Sequence, residues 1–358
     1  MKSSAISNHR LTHQQLVGTG LKTSQDIIRW MGCLQAQEYA SVKWAIGNRV
    51  ENITDADVEK AFNAGHILRT HVLRPTWHFV LPEDIRWMLR LSAARLKATA
   101  RSMHRKLGID EKVLRRSNSL IAKALETEPF LTRGVLQGIL QKGKVITDDI
   151  RLGLLLFNAE QDEIICSGPR QGKQFTYSLL DKQVTRPKSL PHEEALAEIG
   201  RRYFLSRGPA TLQDLAWWAG LTSSDAKKSL EMNNGHLASS ELSGITYWFS
   251  KEMDDGNKLK PQKSVQLLPA FDEYAVAYKD RSAILDPAFA QQAGNGIFKP
   301  VVIVDGKIAG IWKGREVKGN MQVRVEGFST VVKARWKQVT AAAARYADFL
   351  GKGDVEVV

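Results

Sequence analysis

Residues 207–225 read Arg207-Gly208-Pro209-Ala210-Thr211-Leu212-Gln213-Asp214-Leu215-Ala216-Trp217-Trp218-Ala219-Gly220-Leu221-Thr222-Ser223-Ser224-Asp225, and the reading of this stretch decides the fold class. Thr211 with Asp214, and Thr222 with Asp225, have the three-residue spacing at which a hydroxyl caps a helix start and a later side chain returns the bond. Gly220 stands between them, where a left-handed residue ends the first helix. Two short capped helices around one glycine turn predict a helix-turn-helix. Residues 237–249, with Ser243-Gly244 inside them, predict a hairpin or wing behind it. Helix-turn-helix units also serve as protein-interaction modules, so the motif alone leaves both uses open.

Working outward, the same grammar repeats twice toward the N-terminus. In 109–188, Pro129-Phe130-Leu131-Thr132-Arg133 leads into a helical pattern at 136–140, and Thr147-Asp148-Asp149-Ile150 predicts a second helix reaching about Ala159. Its wing is 163–167 and 175–179 around the loop Gly168-Pro169-Arg170-Gln171-Gly172-Lys173-Gln174. The loop amides, Arg170 and Lys173 suit phosphates or a groove, and they equally suit a solvated hairpin end. In 1–108, Thr23 and Ser24 cap a helix whose Ile27, Ile28, Trp30, Met31 and Leu34 share one face. A second helix follows from about Ser41 through Ile46, then a strand pair, 67–73 and 76–80, around Arg74-Pro75. Pro187 and Pro191 mark a linker between the second unit and the third, 189–254. From 255 to 358 the pattern turns to short strands. Asp305-Gly306 between two apolar runs predicts a type I′ hairpin, 321–325 and 331–332 add strands, and 340–350 forms a terminal helix. The fold class expected is α+β: tandem winged-helix units followed by a C-terminal small β-barrel-like domain.

The chain has 358 residues, 43% of them hydrophobic, enough for several cores and without the run of roughly 20 apolar residues that spans a bilayer. Residues 1–10 are polar and lack the apolar core of a signal peptide, which predicts a cytoplasmic protein. Cys33 and Cys166 lie in apolar runs as small buried hydrophobes, and the eight His have no metal-ligand spacing, so neither metal nor cofactor is expected. The net charge of +13 points to a polyanion, with nucleic acid the obvious candidate. Residues 86–116 carry ten basic side chains against Asp110 and Glu111, eight of the thirteen surplus charges. Leu81-Pro82-Glu83-Asp84 starts a helix there, with acids at its positive end, running to about His104. On it Arg86, Arg90, Lys97, Arg101 and Arg105 form one stripe, with Met88, Leu89 and Leu96 on other faces. Five like charges without interleaved acids repel one another unless an anion lies along them, and phosphate is the expected anion; a solvated charged face is the plain alternative.

Several motifs, in order along nearly the whole chain, resemble a known set. They are Leu34-Gln35-Ala36-Gln37, Arg69-Thr70 with Arg74-Pro75-Thr76-Trp77-His78, Arg151-Leu152-Gly153, and Cys166-Ser167-Gly168-Pro169-Arg170 continuing to Tyr177. Further on come Gly208-Pro209-Ala210-Thr211, Pro269-Ala270-Phe271-Asp272-Glu273-Tyr274 with Tyr278-Lys279-Asp280-Arg281, and Asn295-Gly296-Ile297-Phe298. The set resembles the bacterial winged-helix DNA-binding family that includes the alkylpurine and interstrand-crosslink DNA glycosylases. That resemblance implies winged helices curved around DNA and a catalytic Gln-x-Gln motif, here Gln35-Ala36-Gln37.

An amide is no general base, but N7- or N3-alkylated purines are cationic leaving groups that need little acid help. Holding a water beneath C1′ and turning acceptor oxygens toward an oxocarbenium-like sugar are within a glutamine's means. The plain alternative for Gln35 and Gln37 is helix-end capping. Arg69, Arg74, His78, Arg170 and Lys173 join the stripe as candidate DNA contacts, with Trp77 and His78 able to wedge a lesion or simply to line a half-buried strand. Asp272 and Glu273 read as a helix start or salt-bridge pair rather than catalysts. The expected partner is damaged double-stranded DNA on the bacterial nucleoid, with no membrane and no obligate protein partner. A non-catalytic regulator with the same winged helices is the competing reading, and an interaction scaffold the third.

Overall fold

The helix starts read at Thr23, Thr211 and Thr222 form as expected. Thr23 Oγ1 accepts from the Asp26 N–H at 3.1 Å and Asp26 accepts from the Thr23 N–H at 3.0 Å, a reciprocal cap on helix Ser24–Met31. Thr211 and Asp214 repeat it at 3.1 and 3.0 Å on helix Leu212–Ala219, and Thr222 accepts from Asp225 N–H at 3.0 Å on helix Ser223–Met232. Each such cap contributes about 1 kcal/mol. Between the last two helices Gly220 has φ 61° and ψ 32°, the left-handed conformation that turns the chain. Strands Leu237–Leu242 and Ile245–Ser250 pair antiparallel behind them, with positive φ at Ser243 and Gly244.

The computed structural model describes residues 3–18, 20–148, 150–253 and 263–358. They fall into two compact units, one of Met1–Glu59 with Leu196–Val358 and one of Lys60–Ala195, a coarser division than the four-part organisation expected from sequence. The expected boundary at 254/255 lies outside the described residues. No described helix is long and apolar enough to cross a membrane.

In the first unit the C-terminal segment forms an open five-stranded sheet, not the barrel-like closure expected. Its strand order is Val355–Val357, Asn320–Gly327, Lys307–Val317, Val301–Val304, Val265–Leu268. Three of these strands have only three or four residues, and helix Trp336–Phe349 packs on the sheet. Short edge strands of this kind leave too little backbone to close a barrel. Residues 331–332, expected as strand, lie in the short helix Thr330–Ala334, which seats Val332 against Gly327. The Asp305-Gly306 turn forms as read, with φ 50° and 82°. Trp44 Nε1 donates to Leu267 O at 2.7 Å and Trp312 Nε1 to Leu268 O at 2.8 Å, tying helix Tyr39–Gly47 and strand Lys307–Val317 to the same edge strand.

In the second unit the 22-residue helix Ile85–Lys106 buries Trp87, Met88, Leu89, Leu96 and Ala100. It starts later than read. Pro82, Glu83 and Asp84 make a turn ahead of it, so no acid sits in its first turn, and Asp84 instead accepts from Trp87 Nε1 at 2.9 Å. Helices Glu111–Thr127, Arg133–Lys142 and Arg151–Gln161 pack around Ile121, Leu136, Leu140 and Leu155. The last begins at Arg151 rather than near Thr147; Asp149 of that motif lies outside the described residues. The Arg151 side chain donates to Ile146 O and Leu107 O, holding a turn where helix was expected. Hairpin Leu68–His71/Trp77–Val80 and the sheet Leu131–Thr132, Thr176–Leu179, Ile165–Ser167 complete the unit.

Candidate functional site

Helix Ser24–Met31 ends at Gly32, whose φ of 79° turns the chain into the extended pair Leu34–Gln35. Cys33, Leu34 and Ala36 are buried, Gln35 is nearly so at 9% exposure, and Gln37 is exposed. The next helix, Tyr39–Gly47, takes Glu38 as its N-cap without a side-chain capping bond to the backbone, and Glu38 instead accepts from Ser41 Oγ at 2.9 Å. The Gln35-Ala36-Gln37 segment is thus an inter-helix passage with one glutamine at the protein interior and one at its surface.

What fixes this passage was not legible as a motif. Glu273 Oε1 accepts from the Gln35 backbone N–H at 3.0 Å, while its Oε2 accepts from Arg207 at 2.7 and 3.0 Å and from Trp218 Nε1 at 2.9 Å. Arg207 in turn donates to Met31 O at 2.7 Å and Cys33 O at 3.1 Å, with its guanidinium 4.0 Å from the Trp218 ring. Arg207 and Glu273 are almost wholly excluded from solvent. Three backbone groups of residues 31–35 therefore hang on one buried ion pair. Beside Glu273, Asp272 binds Arg49 at 2.7 and 2.8 Å and caps helix Glu273–Val276 through the Tyr274 N–H. The adjacent carboxylates act as the helix-start and salt-bridge pair read from sequence. Their partners Arg49 and Arg207 went unread because each lies far along the chain; the available signal was that two acids in an apolar run need buried cations.

Of the twelve candidate residues, Gln35 and Gln37 belong to the first unit and the ten basic or histidine candidates to the second. The stripe on helix Ile85–Lys106 is only partly open. Glu163 binds Arg86 at 3.0 Å and Arg90 at 2.7 and 3.0 Å, Asp181 also binds Arg86, and Asp162 binds Lys97. The Glu163 pair raises the Arg90 pKa further. The sequence argument that no acids interleave the stripe is corrected here, because the acids come from the turn at 162–163 and the short helix Leu180–Gln183 rather than from the helix itself. Arg101 and Arg105 are exposed and line a cavity of about 600 Å³ with His104 and Asn158.

Arg69 is buried between the Trp77 and Phe175 rings at 4.2 and 4.6 Å, and its backbone N–H donates to Ser167 Oγ at 2.7 Å. His78 is fully buried, with Nδ1 2.8 Å from Thr76 O and Nε2 3.4 Å from Arg74. It has no surface with which to wedge DNA, and any contact would pass through Arg74. In the loop, Gln171 and Gln174 exchange backbone bonds at 2.9 and 3.1 Å, leaving Gly172 and Lys173 as an exposed two-residue tip. Arg170 is half-buried, 5.2 Å from the Phe175 ring. Cys33 and Cys166 are buried free thiols, as read.

A family model described as DNA glycosylase AlkZ-like matches residues 28–349. An interstrand DNA cross-link repair glycosylase of Streptomyces sahachiroi is 20% identical over 319 residues, covering 85% of each chain. The solved structure of Streptomyces sahachiroi DNA glycosylase AlkZ superposes with a TM-score of 0.83 over 100% of both chains, at 20% identity, a likeness of fold.

Proposed function

This chain belongs to the AlkZ-like DNA glycosylase family, and from that premise we propose that it hydrolyses the N-glycosidic bond of N7- or N3-alkylated or crosslinked purines in duplex DNA. Gln35 and Gln37 are the residues we assign to the reaction, and the three helix-turn-helix-plus-hairpin stretches in 1–108, 109–188 and 189–254 act as winged helices on nucleoid DNA. The observation that carries the reading is the fixed backbone at residues 31–35: a buried Arg207–Glu273 pair holds the Gln35 N–H and two neighbouring carbonyls in place.

The chemistry asks little of proton transfer. An alkylated purine is already cationic, so as the C1′–N bond breaks the ring takes the electron pair and leaves neutral, and positive charge passes to the sugar. Water adds its oxygen to C1′ and loses a proton to solvent, leaving a free base and an abasic sugar. Gln35 ends the extended pair Leu34–Gln35 and Gln37 lies two residues on, in the bend that follows, and we assign both amides to one sugar. Their carbonyl oxygens orient the water and face the developing charge, and fixed dipoles do this without reorganising during the reaction. Lacking a strong base, the site should ignore unmodified purines.

The test is release of N7-methylguanine from alkylated duplex and unhooking of a crosslinked duplex, with Gln35→Ala and Gln37→Ala alongside. The reading expects release that falls by about 100-fold or more in each variant, the scale of losing a preorganised dipole. Inactivity on both substrates, or variants equal to the parent, refutes it and favours a non-catalytic DNA binder.

A further inference from the structure

Two cavities in the Lys60–Ala195 unit share the walls Trp77, Arg133 and Tyr177. The first, of about 340 Å³, carries three cations, Arg69, Arg133 and Lys173, with the hydroxyls of Ser167 and Thr176 and no acid. The second, of about 450 Å³, is walled mainly by aromatic and aliphatic side chains, with Met103 and Ile150 among its lining residues despite exposures of 36% and 52%. Its acid is Glu160, fully buried, with His71, Thr99 and Arg133 also in its lining.

Glu160 Oε2 is heavily used. It accepts from the His71 N–H at 3.1 Å and the Thr70 hydroxyl at 3.2 Å, and His71 Nδ1 lies 2.7 Å from it. Glu160 Oε1 has no hydrogen-bond partner among the described residues. A buried carboxylate oxygen without a donor is costly, and such a group in a lined cavity calls for one. His71 packs on Trp77 with ring centroids 3.9 Å apart and planes tilted by 40°, and it meets Phe157 edge-on at 5.1 Å, so the residue that bonds Glu160 is itself set among aromatic rings.

Cations and hydroxyls on one side of Trp77, aromatic walls and an orphaned acceptor on the other, match the two ends of one molecule. We propose that the two adjoining cavities form a nucleotide-binding site, the phosphate held by Arg69, Arg133 and Lys173 and a purine stacked in the aromatic cavity with a base N–H donated to Glu160. The phosphate end uses charge-assisted bonds and the base end uses stacking and a single buried acceptor. The site is built wholly within Lys60–Ala195 and uses neither Gln35 nor Gln37, so it goes beyond the glycosylase reading and can fail or stand apart from it.

Isothermal titration of the full chain tests this with dGMP, deoxyguanosine, the monophosphate of unsubstituted purine, and a short single-stranded oligonucleotide. The site expects dGMP to bind at least tenfold tighter than deoxyguanosine, with that difference erased in Arg133→Ala/Lys173→Ala, two exposed positions whose change leaves the fold alone. Glu160→Gln should remove the preference for dGMP over the donor-free purine monophosphate. Gly153 lines the aromatic cavity at a helical position where an added Cβ would meet the Arg133 guanidinium at an ordinary contact distance of 3.7 Å, so Gly153→Leu fills the cavity and should abolish binding. Binding of the oligonucleotide but not of dGMP, still lost in Gly153→Leu, assigns the site to a nucleotide within a strand. Binding of neither, or binding indifferent to Gly153→Leu and Arg133→Ala/Lys173→Ala, overturns the proposal, and Gln35→Ala should leave every titration unchanged.

Discussion

Replacing Glu273 with Gln is the sharpest test of what holds the Gln35 passage in place. The change keeps side-chain volume and removes the charge that Arg207 faces at 2.7 Å in a region closed to solvent. An uncompensated buried guanidinium destabilises by about 3–5 kcal/mol. At about 2–4 °C per kcal/mol for a unit of this size, the melting temperature should fall by roughly 6–20 °C. The amide also turns an N–H group toward donors that met two carboxylate oxygens, so either Gln35 N–H or Trp218 Nε1 loses its acceptor. On the proposed reading, displacement of Gln35 by about 1 Å costs on the order of 100-fold in base release. The companion variant Arg207→Met/Glu273→Leu removes both charges and should regain much of the stability, since well-packed apolar pairs often replace buried ion pairs without loss. It should not regain activity, because Met31 O, Cys33 O and Gln35 N–H all lose the bonds that the pair makes to them. Denaturant melts and the base-release assay read the two effects separately. A Glu273→Gln protein within 1 kcal/mol of the parent, or a double variant with full activity, shows that the pair does not position the passage.

Gly220→Ala should cost about 1–2 kcal/mol, because an L side chain is strained at φ 61°, and Thr211→Ala about 1 kcal/mol for its cap; equal denaturation midpoints would refute both. Arg101→Ala/Arg105→Ala should weaken duplex binding and reduce the slope of log affinity against log salt by about 0.9 for each phosphate no longer neutralised. Arg90→Ala, already engaged by Glu163, should change that slope less; a larger effect at Arg90 would contradict the structure. His13 is buried with its pKa lowered from 6.5 to about 4, by desolvation first, while Nδ1 lies 2.7 Å from Gly208 O. Below pH 6.5 the unfolded chain takes up the proton more readily than the folded one, so stability falls with pH through the window from 6.5 to about 4, by about 3 kcal/mol in all. Urea melts across that window should show the slope, and His13→Gln should flatten it.

What could be read from sequence was local. Thr211 and Asp214, Gly220, and Asp305-Gly306 each specify a turn through neighbours three or fewer positions away, and each formed as read. The Arg207–Glu273 pair spans 66 positions and Arg49–Asp272 spans 223, distances over which one sequence holds no record of contact. The basic stripe shows the same limit from the other side. Its helical spacing was correct, yet Asp162, Glu163 and Asp181 reach it from segments that the helix pattern says nothing about. The open sheet was misread as barrel-like because strand count is legible and closure is not: closure depends on strand length and stagger, fixed only when the edges Val265–Leu268 and Val355–Val357 are seen to stay apart in the strand order.

A buried ion pair is weak as a source of stability, which makes its use beneath the Gln35 passage informative. An apolar pair of equal volume could fill the space under Met31, Cys33 and Gln35, but it could not offer donors to two carbonyls and an acceptor to an N–H at once. Arg207 does so because a guanidinium presents its donors in a rigid planar fork, and the Trp218 ring 4.0 Å away keeps that plane from turning. On the proposed reading this rigidity is what two amides require. A carboxylate acts on a cationic sugar through its full charge and tolerates misplacement, since charge interactions fall off slowly with distance. An amide acts through a dipole whose effect depends on direction as well as distance, so its backbone must be held still. The desolvation of Arg207 and Glu273 is thereby exchanged for direction at Gln35, and a site made this way favours substrates that arrive already charged.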